Sequence, residues 1–305
     1  MSKIKQSALQ IVGVVGVVIS LAIFIRKPSF PTPDKLVIFL TFVFMSFHQA
    51  KEMLKRLLPF VAAILVYESF RGIAHILNTH VNYNLAINAD KLLFGTLPTV
   101  TLQKWLWHGH VQWYDFMFYI PYILFFALTF GLALLVWKTR EHYYWRVVST
   151  YTILFFAAFL TFFLLPAAPP WLASQNHYIE PVTRVSSHVW YALGLNDFSL
   201  VYNKISPNPV AAIPSLHAAS STLFALFILK IYGRRWAVLA AIYPILIYIG
   251  VVYEGEHYVF DVLAGIIYAL GAYLVTPFIM SWIKDRVVKL KNSSKTKSVL
   301  KRVRL

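Results

Sequence analysis

Long apolar runs, separated by shorter polar segments, dominate the pattern of hydrophobic and polar positions along this chain. A helix of roughly 20 apolar residues crosses the hydrocarbon core of a bilayer, because each residue adds about 1.5 Å. The second run is short and contains His48, so a tilted or re-entrant segment is the alternative there. We predict an all-α fold, a polytopic membrane helix bundle with about eight transmembrane helices. The eight runs are 8–25, 36–50, 57–78, 115–137, 146–166, 216–232, 236–253 and 258–282.

The composition supports a membrane protein and excludes some chemistry. Hydrophobic residues make up 59% of the 305 residues and charged residues only 13%, a balance that no soluble domain of this size needs. Cysteine is absent, which excludes disulfides, a thiolate nucleophile and cysteine-ligated metals. The formal net charge of +16 is interpreted as basic cytoplasmic loops and contact with anionic lipid, not as nucleic-acid binding.

The basic residues predict the orientation of the helices, because cytoplasmic loops are enriched in lysine and arginine. With the N-terminus inside, most of these residues lie on the inner side, so both termini are expected in the cytoplasm of a prokaryote. Residues 1–56 are expected to form accessory helices, residues 57–283 a catalytic membrane domain, and residues 284–305 a basic tail. The outer side of the plasma membrane then receives the loops at 79–114 and 167–215, of which the first is expected to contain short amphipathic pieces.

The stretch from Asn208 to Ala219 closes a long polar loop and opens an apolar helix. We expect Pro214 in the first turn of that helix, where its missing N–H costs nothing. Ser215 and His217 then lie among the unpaired backbone N–H groups of a helix start, which favour a bound phosphate. A serine cap beside an incidental histidine is the alternative.

A second polar stretch opens the last apolar run with His257 and Asp261, four residues apart. On a helix this spacing puts both side chains on one face, so Asp261 can fix the tautomer of His257 and leave its other nitrogen free to attack. The helical hairpin between the two stretches predicts one outer pocket for Ser215, His217, His257 and Asp261. These residues fit phosphoryl transfer through His257, with His217 as acid and base. A capping Asp261 with a solvated histidine, or a zinc site, is the alternative.

Two further features lie on the predicted outer side. The run from Pro166 to Trp171 ends the fifth apolar segment with consecutive prolines, so it predicts a rigid helix exit and a wall of the same pocket. Asp115 stands at an outer helix start and is expected to be a helix cap.

Two motifs carry a family resemblance. Residues 214–217, Pro-Ser-Leu-His, and 257–261, His-Tyr-Val-Phe-Asp, resemble the second and third signature motifs of the type 2 phosphatidic acid phosphatase superfamily. Residues 166–171, 208–219 and 261–265 are most similar to its branch related to fungal inositol phosphorylceramide synthase. The resemblance covers most of residues 60–280.

The resemblance implies a six-helix core and metal-independent cleavage of a lipid phosphoester without a cofactor. It implies His257 as nucleophile, Asp261 as its partner, His217 as acid and base, and Ser215 as a phosphate contact. Two positions depart from the phosphatase pattern: Leu216 stands where many members have glycine, and an arginine expected six residues before His257 is replaced by valine. The cationic phosphate clamp must therefore come from elsewhere.

Three cations are candidates for this clamp, ranked Arg71, Arg184 and Lys204. Arginine binds phosphate in bidentate fashion, and Arg71 lies at membrane depth, where a charge needs a pocket or a partner. Glu68, three residues earlier, can pair with Arg71, which is the structural alternative. Arg184 and Lys204 lie in the loop leading to Ser215, where ordinary surface charges are the alternative.

The predicted function is that of an integral-membrane lipid phosphatase or phosphotransferase. It would transfer a headgroup, with phosphoinositol as a candidate, to a lipid hydroxyl, or it would hydrolyse a lipid phosphate. The expected partners are a lipid phosphate or phospholipid substrate, a lipid or water acceptor and the membrane, with no nucleic acid. A phosphatase restricted to polyprenyl phosphate or phosphatidate is one alternative. A non-catalytic lipid-binding or transport protein on the same scaffold is another.

Overall fold

The computed structural model describes residues 3–29, 31–195 and 208–303, and every regular element among them is helical. Fourteen α-helices and one 3₁₀ turn, Glu141–Tyr143, are found in these ranges. The helices are α1 (Lys3–Arg26), α2 (Pro33–Ser46), α3 (Ala50–Leu77), α4 (Asn84–Phe94), α5 (Pro98–Leu106), α6 (Trp113–Ile123), α7 (Phe125–Thr139), α8 (Tyr144–Leu164), α9 (Pro170–Gln175), α10 (Val185–Ala192), α11 (Leu216–Tyr232), α12 (Arg234–Ala240), α13 (Ile242–Tyr253) and α14 (Val259–Val303).

The all-α membrane fold is confirmed, whereas the count of eight spans is not. Within the described residues, five helical segments are long and apolar enough to cross a bilayer. The bent pair α6 and α7 makes a sixth if it is one span, while α11 is a shorter apolar helix of 17 residues. The doubtful second run forms α2, which has only 14 residues. The five segments are Gln6–Arg26, Ala50–Leu77, Glu141–Leu164, Arg234–Tyr253 and Val259–Lys289.

The bend between α6 and α7 measures 53° and follows from the sequence. Pro121 lies inside α6, where it cannot donate the backbone hydrogen bond that would continue the helix. At the start of α6, Asp115 accepts the Gln112 N–H at 2.6 Å, which confirms its predicted role as a cap. Asp115 also accepts the Tyr253 hydroxyl at 2.6 Å and thereby ties α6 to α13.

Aromatic side chains fill the centre of the bundle between α3, α7 and α8. The Phe60 and Phe130 rings meet edge to face at 5.4 Å, and the Tyr67 and Phe155 rings stack at 5.3 Å. Helices in lipid associate through such packing and not through the hydrophobic effect, because lipid tails are as apolar as the side chains. Helix α14 approaches α11 more closely still: a Cβ at Gly265 would lie 2.4 Å from the Ser215 carbonyl oxygen.

Short helices and extended segments cover one end of the bundle. Ala167 donates its N–H to Val210 O at 2.8 Å, and Ala168 donates to Asn82 O at 3.1 Å. The Ala168 bond joins the two long loops that are predicted on the outer side, and the Ala167 bond closes the second of these loops. The first loop contains α4 and α5, so the predicted short helical pieces are present.

Candidate active site

The start of α11 carries the first polar motif. The helix begins at Leu216 and Ser215 is its N-cap, with its Oγ accepting the Ala218 N–H at 3.4 Å. The expectation that Pro214 occupies the first turn is therefore wrong, because serine is a preferred N-cap and its extended backbone sets the start one residue after it. Ser215 is completely buried and donates its own N–H to Asp261 O at 2.9 Å. The predicted phosphate contact of Ser215 stays a prediction.

The start of α14 carries the second motif. His257 precedes the first helical residue, Val259, by two positions, so the expectation that His257 lies on the helix is wrong. The pair still meets, with His257 Nδ1 3.4 Å from Asp261 Oδ2, because the carboxylate points back past the helix start. There Asp261 Oδ2 also accepts the Tyr258 N–H at 2.9 Å, as in a capping box.

A second carboxylate, Asp90 of α4, holds the same helix start. Its oxygens accept the N–H groups of Val259 at 3.0 Å and Phe260 at 2.8 Å. Asp90 is completely buried, and this burial raises the pKa of its carboxyl group to about 6. Asp90 was not predicted as a site residue, because nothing local links it to a helix 169 positions later.

The two histidines line one cavity of about 470 Å³. Their ring centroids are 6.2 Å apart. The His217 ring stacks on Tyr122 at 4.0 Å with an interplanar angle of 16°, and it lies 4.9 Å from the Phe125 ring. The bend after α6 places these aromatic rings beside the first turn of α11, so His217 is held in one orientation.

The Arg71 and Glu68 pair of α3 lines the cavity. Arg71 Nε donates to Glu68 Oε2 at 3.1 Å, and its Nη2 lies 3.0 Å from the same oxygen. The i,i+3 pairing considered from the sequence is therefore present, and Arg71 also lines the cavity. Asn208 donates its Nδ2–H to Arg71 O at 2.7 Å, which ties the first polar motif to α3.

Arg184 and Glu256 form a second ion pair that lines the cavity. Arg184 donates from Nε to Oε1 at 2.7 Å and from Nη2 to Oε2 at 3.2 Å, a bidentate ion pair. The Ser186 hydroxyl donates to the same carboxylate. The guanidinium lies 4.4 Å from the centroid of the Trp171 ring, and Trp171 lines the cavity as predicted. Glu256 was not predicted, although its position beside His257 was a visible signal.

The turn before His257 places a second acidic residue, Glu254, behind this wall. Glu254 is completely buried, and burial, with Glu256 and Asp115 nearby, raises the pKa of its carboxyl well above its usual range. Gly255 adopts a left-handed conformation with φ of +79° and accepts the Trp171 N–H at 3.1 Å. This turn thus fixes Trp171 against the residue next to His257.

Two candidates from the sequence remain, the cation Lys204 and the alternative of a zinc site. Lys204 lies outside the described residues. No cluster of three or more His, Asp or Glu side chains suited to a metal ion is found in residues 3–29, 31–195 and 208–303.

The described residues form a helical membrane bundle whose cavity is lined by two histidines and two arginines, with Asp261 beside His257. The chain belongs to the PAP2 superfamily, whose sequence model matches residues 85–275, more than half of its length. It is 29% identical over 232 residues to a phosphoinositol dihydroceramide synthase of Bacteroides thetaiotaomicron, covering 72% of this chain and 74% of that protein. No solved structure matches the chain. Fold and family together support an enzyme of lipid phosphate chemistry.

Proposed function

We propose that this protein transfers the phosphorylated headgroup of a phospholipid to the hydroxyl group of a second lipid. The observation that carries the proposal is the placement of His217 and His257 across one cavity, with Asp261 at the Nδ1 atom of His257. The relative named as a phosphoinositol dihydroceramide synthase supports phosphoinositol as the headgroup and a ceramide-like alcohol as the acceptor.

The first chemical step would form a phosphohistidine. His257 attacks phosphorus through Nε2, the N–P bond forms, and the P–O bond to the departing lipid breaks. His217 donates a proton to the departing oxygen. Asp261 stabilises the charge on the His257 ring through Nδ1, which lies 3.4 Å from its carboxylate.

In the second step the proton and phosphoryl transfers would run in the opposite direction, with the acceptor in place of the departing lipid. The acceptor's hydroxyl group gives a proton to His217 and attacks phosphorus, which releases His257 and forms the new phosphodiester. Water in place of the alcohol would give hydrolysis of a lipid phosphate or headgroup.

The phosphate is proposed to lie between the start of α11 and the arginines. Ser215 and the first turn of α11 offer a helix N-terminus, which favours an anion. Arg71 and Arg184 both line the cavity, and a guanidinium carries five N–H donors. Lys204 remains the third predicted clamp residue.

The membrane placement and the domain limits also stay proposals. The basic residues support both termini in the cytoplasm of a prokaryote and a cavity that opens on the outer side of the plasma membrane. Residues 57–283 would form the catalytic domain, with accessory helices before it and a basic tail after it.

A substrate screen of the purified full chain tests the proposed function. Phosphatidylinositol, phosphatidate and a polyprenyl phosphate would each be supplied in detergent with a chelator, with and without a ceramide. The proposal predicts that diacylglycerol and an inositol phosphoceramide form together from phosphatidylinositol and ceramide. Release of inorganic phosphate from the monoesters, with no headgroup transfer, would identify a phosphatase instead.

Replacement of His257 tests the role of the cavity. His257→Ala should abolish turnover while the protein still elutes as a folded species, whereas His142→Ala, at an exposed histidine of the 3₁₀ turn, should keep full activity. Full turnover in His257→Ala would favour the alternative of a non-catalytic lipid-binding protein, or a different nucleophile.

A further inference from the structure

The charges that line the cavity balance one another. Among the described residues of its wall, the acidic and basic side chains besides the two histidines are Arg71, Arg184, Glu68 and Glu256. Each arginine is paired with one glutamate, at distances of 3.0 Å and 2.7 Å. The described wall therefore carries no net charge when both histidines are neutral.

From this balance we infer that Glu68 and Glu256 select phosphodiesters, which carry one negative charge, against phosphomonoesters, which carry two. The inference rests on the proposed function and assigns a specificity role to two residues outside the nucleophile and its partners. A phosphodiester keeps one ionisable oxygen, whereas a phosphomonoester holds roughly −1.5 to −2 charges at neutral pH.

The position of the carboxylates makes the discrimination effective. The whole residues Glu68 and Glu256 are only 3% and 7% exposed, so solvent ions screen them poorly. Glu256 directly precedes His257 in the chain, and its carboxylate also accepts the Ser186 hydroxyl, which holds it in place. The second negative charge of a monoester would face both carboxylates, and like charges brought together in this way oppose binding.

Cleavage of both substrate classes can be measured through the same product, diacylglycerol. Phosphatidate and phosphatidylinositol each lose diacylglycerol when His257 attacks phosphorus, because the N–P bond forms as the bond from phosphorus to the glycerol oxygen breaks. That oxygen takes its proton from His217 in both cases. The ratio of kcat/KM for the two lipids therefore cancels effects on the nucleophile, the acid and the fold.

The test measures diacylglycerol release from phosphatidate and from phosphatidylinositol by wild type, Glu68→Gln and Glu256→Gln. Glutamine keeps the size and an acceptor oxygen but removes the charge. Each variant should shift the ratio of kcat/KM toward phosphatidate by roughly tenfold, the effect expected for one charge at a poorly solvated site. Glu52→Gln is the matched control, because Glu52 pairs with Lys55 at i,i+3 on the same helix but is exposed; its ratio should equal that of wild type.

The pH dependence of the wild-type ratio gives a second readout. Below about pH 6 a phosphomonoester loses its second charge, so phosphatidate should become a better substrate relative to phosphatidylinositol. The other groups that face the phosphate, namely His217, His257, Arg71 and Arg184, are the same in wild type and in Glu68→Gln, so comparing the two proteins isolates the Glu68 charge. The change in ratio between acidic and alkaline pH should be smaller in Glu68→Gln than in wild type.

The experiment distinguishes failure of the specificity role from failure of the proposed function. If wild type cleaves phosphatidylinositol but both glutamine variants keep its substrate ratio within twofold, the specificity role is overturned and the proposed function stands. If wild type cleaves only phosphatidate, the proposed function itself fails. Should Glu256→Gln not fold, because its Arg184 partner is left in place, Glu68→Gln decides the matter alone.

Discussion

The two helices that meet at the cavity begin in chemically different ways. Helix α11 starts with a neutral cap, the Ser215 hydroxyl, which accepts one backbone N–H. Helix α14 starts among carboxylates: Asp90 accepts two backbone N–H groups and Asp261 accepts a third. Both starts lie side by side, because Ser215 donates its N–H to Asp261 O.

This difference suggests that the two helix starts have separate roles. The carboxylates already complement the positive end of the α14 dipole, so that helix start is a poor place for a phosphate. The α11 start, with its neutral cap, keeps the positive end of its dipole available to an anion. A nucleophile held at the α14 start can then attack a phosphorus atom held at the α11 start.

Separating the two helix starts should have the largest effect. A methyl group at Gly265 would lie 2.4 Å from the Ser215 carbonyl oxygen, so Gly265→Ala must push α14 away from α11. Turnover should fall by roughly 100-fold, since a displacement of about 1 Å in an active site has that consequence. Diacylglycerol release from phosphatidylinositol measures it.

The matched control is Gly271→Ala in the same helix, where nothing lies within 4 Å of the added methyl group. It should leave turnover unchanged and raise stability by about 0.5–1 kcal/mol, the gain of alanine over glycine in a helix. Equal activity in Gly265→Ala and Gly271→Ala would contradict the claim that turnover requires the close contact between α14 and α11.

Removing the charged cap of α14 should have the next largest effect. Asp90→Ala leaves the half-buried N–H groups of Val259 and Phe260 without their acceptor, at a cost of about 2–4 kcal/mol in unfolding free energy. Thermal unfolding in detergent measures the loss. A variant as stable as wild type would show that water or a rearranged loop replaces Asp90.

The titration of Asp90 gives a smaller, pH-dependent effect. Its pKa is raised from 3.8 to about 6 in the folded protein, so the folded state holds this proton more tightly than the unfolded chain does. The resulting stability is fully present below about pH 4 and is lost as pH rises through about 6. Wild type should therefore lose about 2 kcal/mol relative to Asp90→Asn, which does not titrate, between about pH 4 and pH 7. A constant difference across this range would contradict the raised pKa.

Removing the neutral cap of α11 should have the smallest effect on stability. Ser215→Ala deletes the acceptor of the Ala218 N–H and should cost about 1 kcal/mol. If the hydroxyl also binds phosphate, as predicted, kcat/KM should fall by roughly tenfold more than in Ser215→Thr, which keeps a hydroxyl group. Equal kcat/KM in the two variants would leave Ser215 as a cap alone.

Local spacing accounts for what could be predicted from the sequence. Glu68 and Arg71 are three residues apart on α3 and meet as this spacing predicts, and His257 and Asp261 meet although His257 lies before its helix. The caps also follow from short-range chemistry, as for Asp115 in α6. The membrane class follows from composition and from the length of the apolar runs.

Contacts between distant parts of the chain could not be predicted. Glu256 meets Arg184 across 72 positions, and Asp90 meets the α14 start across 169, because three loops converge at one end of the bundle. The count of eight spans is not confirmed for a related reason. Apolar length alone does not show that the run around Pro121 bends or that α2 stops after 14 residues.

The covalent intermediate on His257 is the central claim, and mass spectrometry of the quenched enzyme tests it most directly. Wild-type protein turning over phosphatidylinositol would be quenched in alkali, which preserves phosphohistidine, and digested. The account predicts a phosphoinositol adduct on the peptide that contains His257, and no adduct on that peptide from His257→Ala. Continued turnover with no adduct, or an adduct on His217 instead, would contradict it.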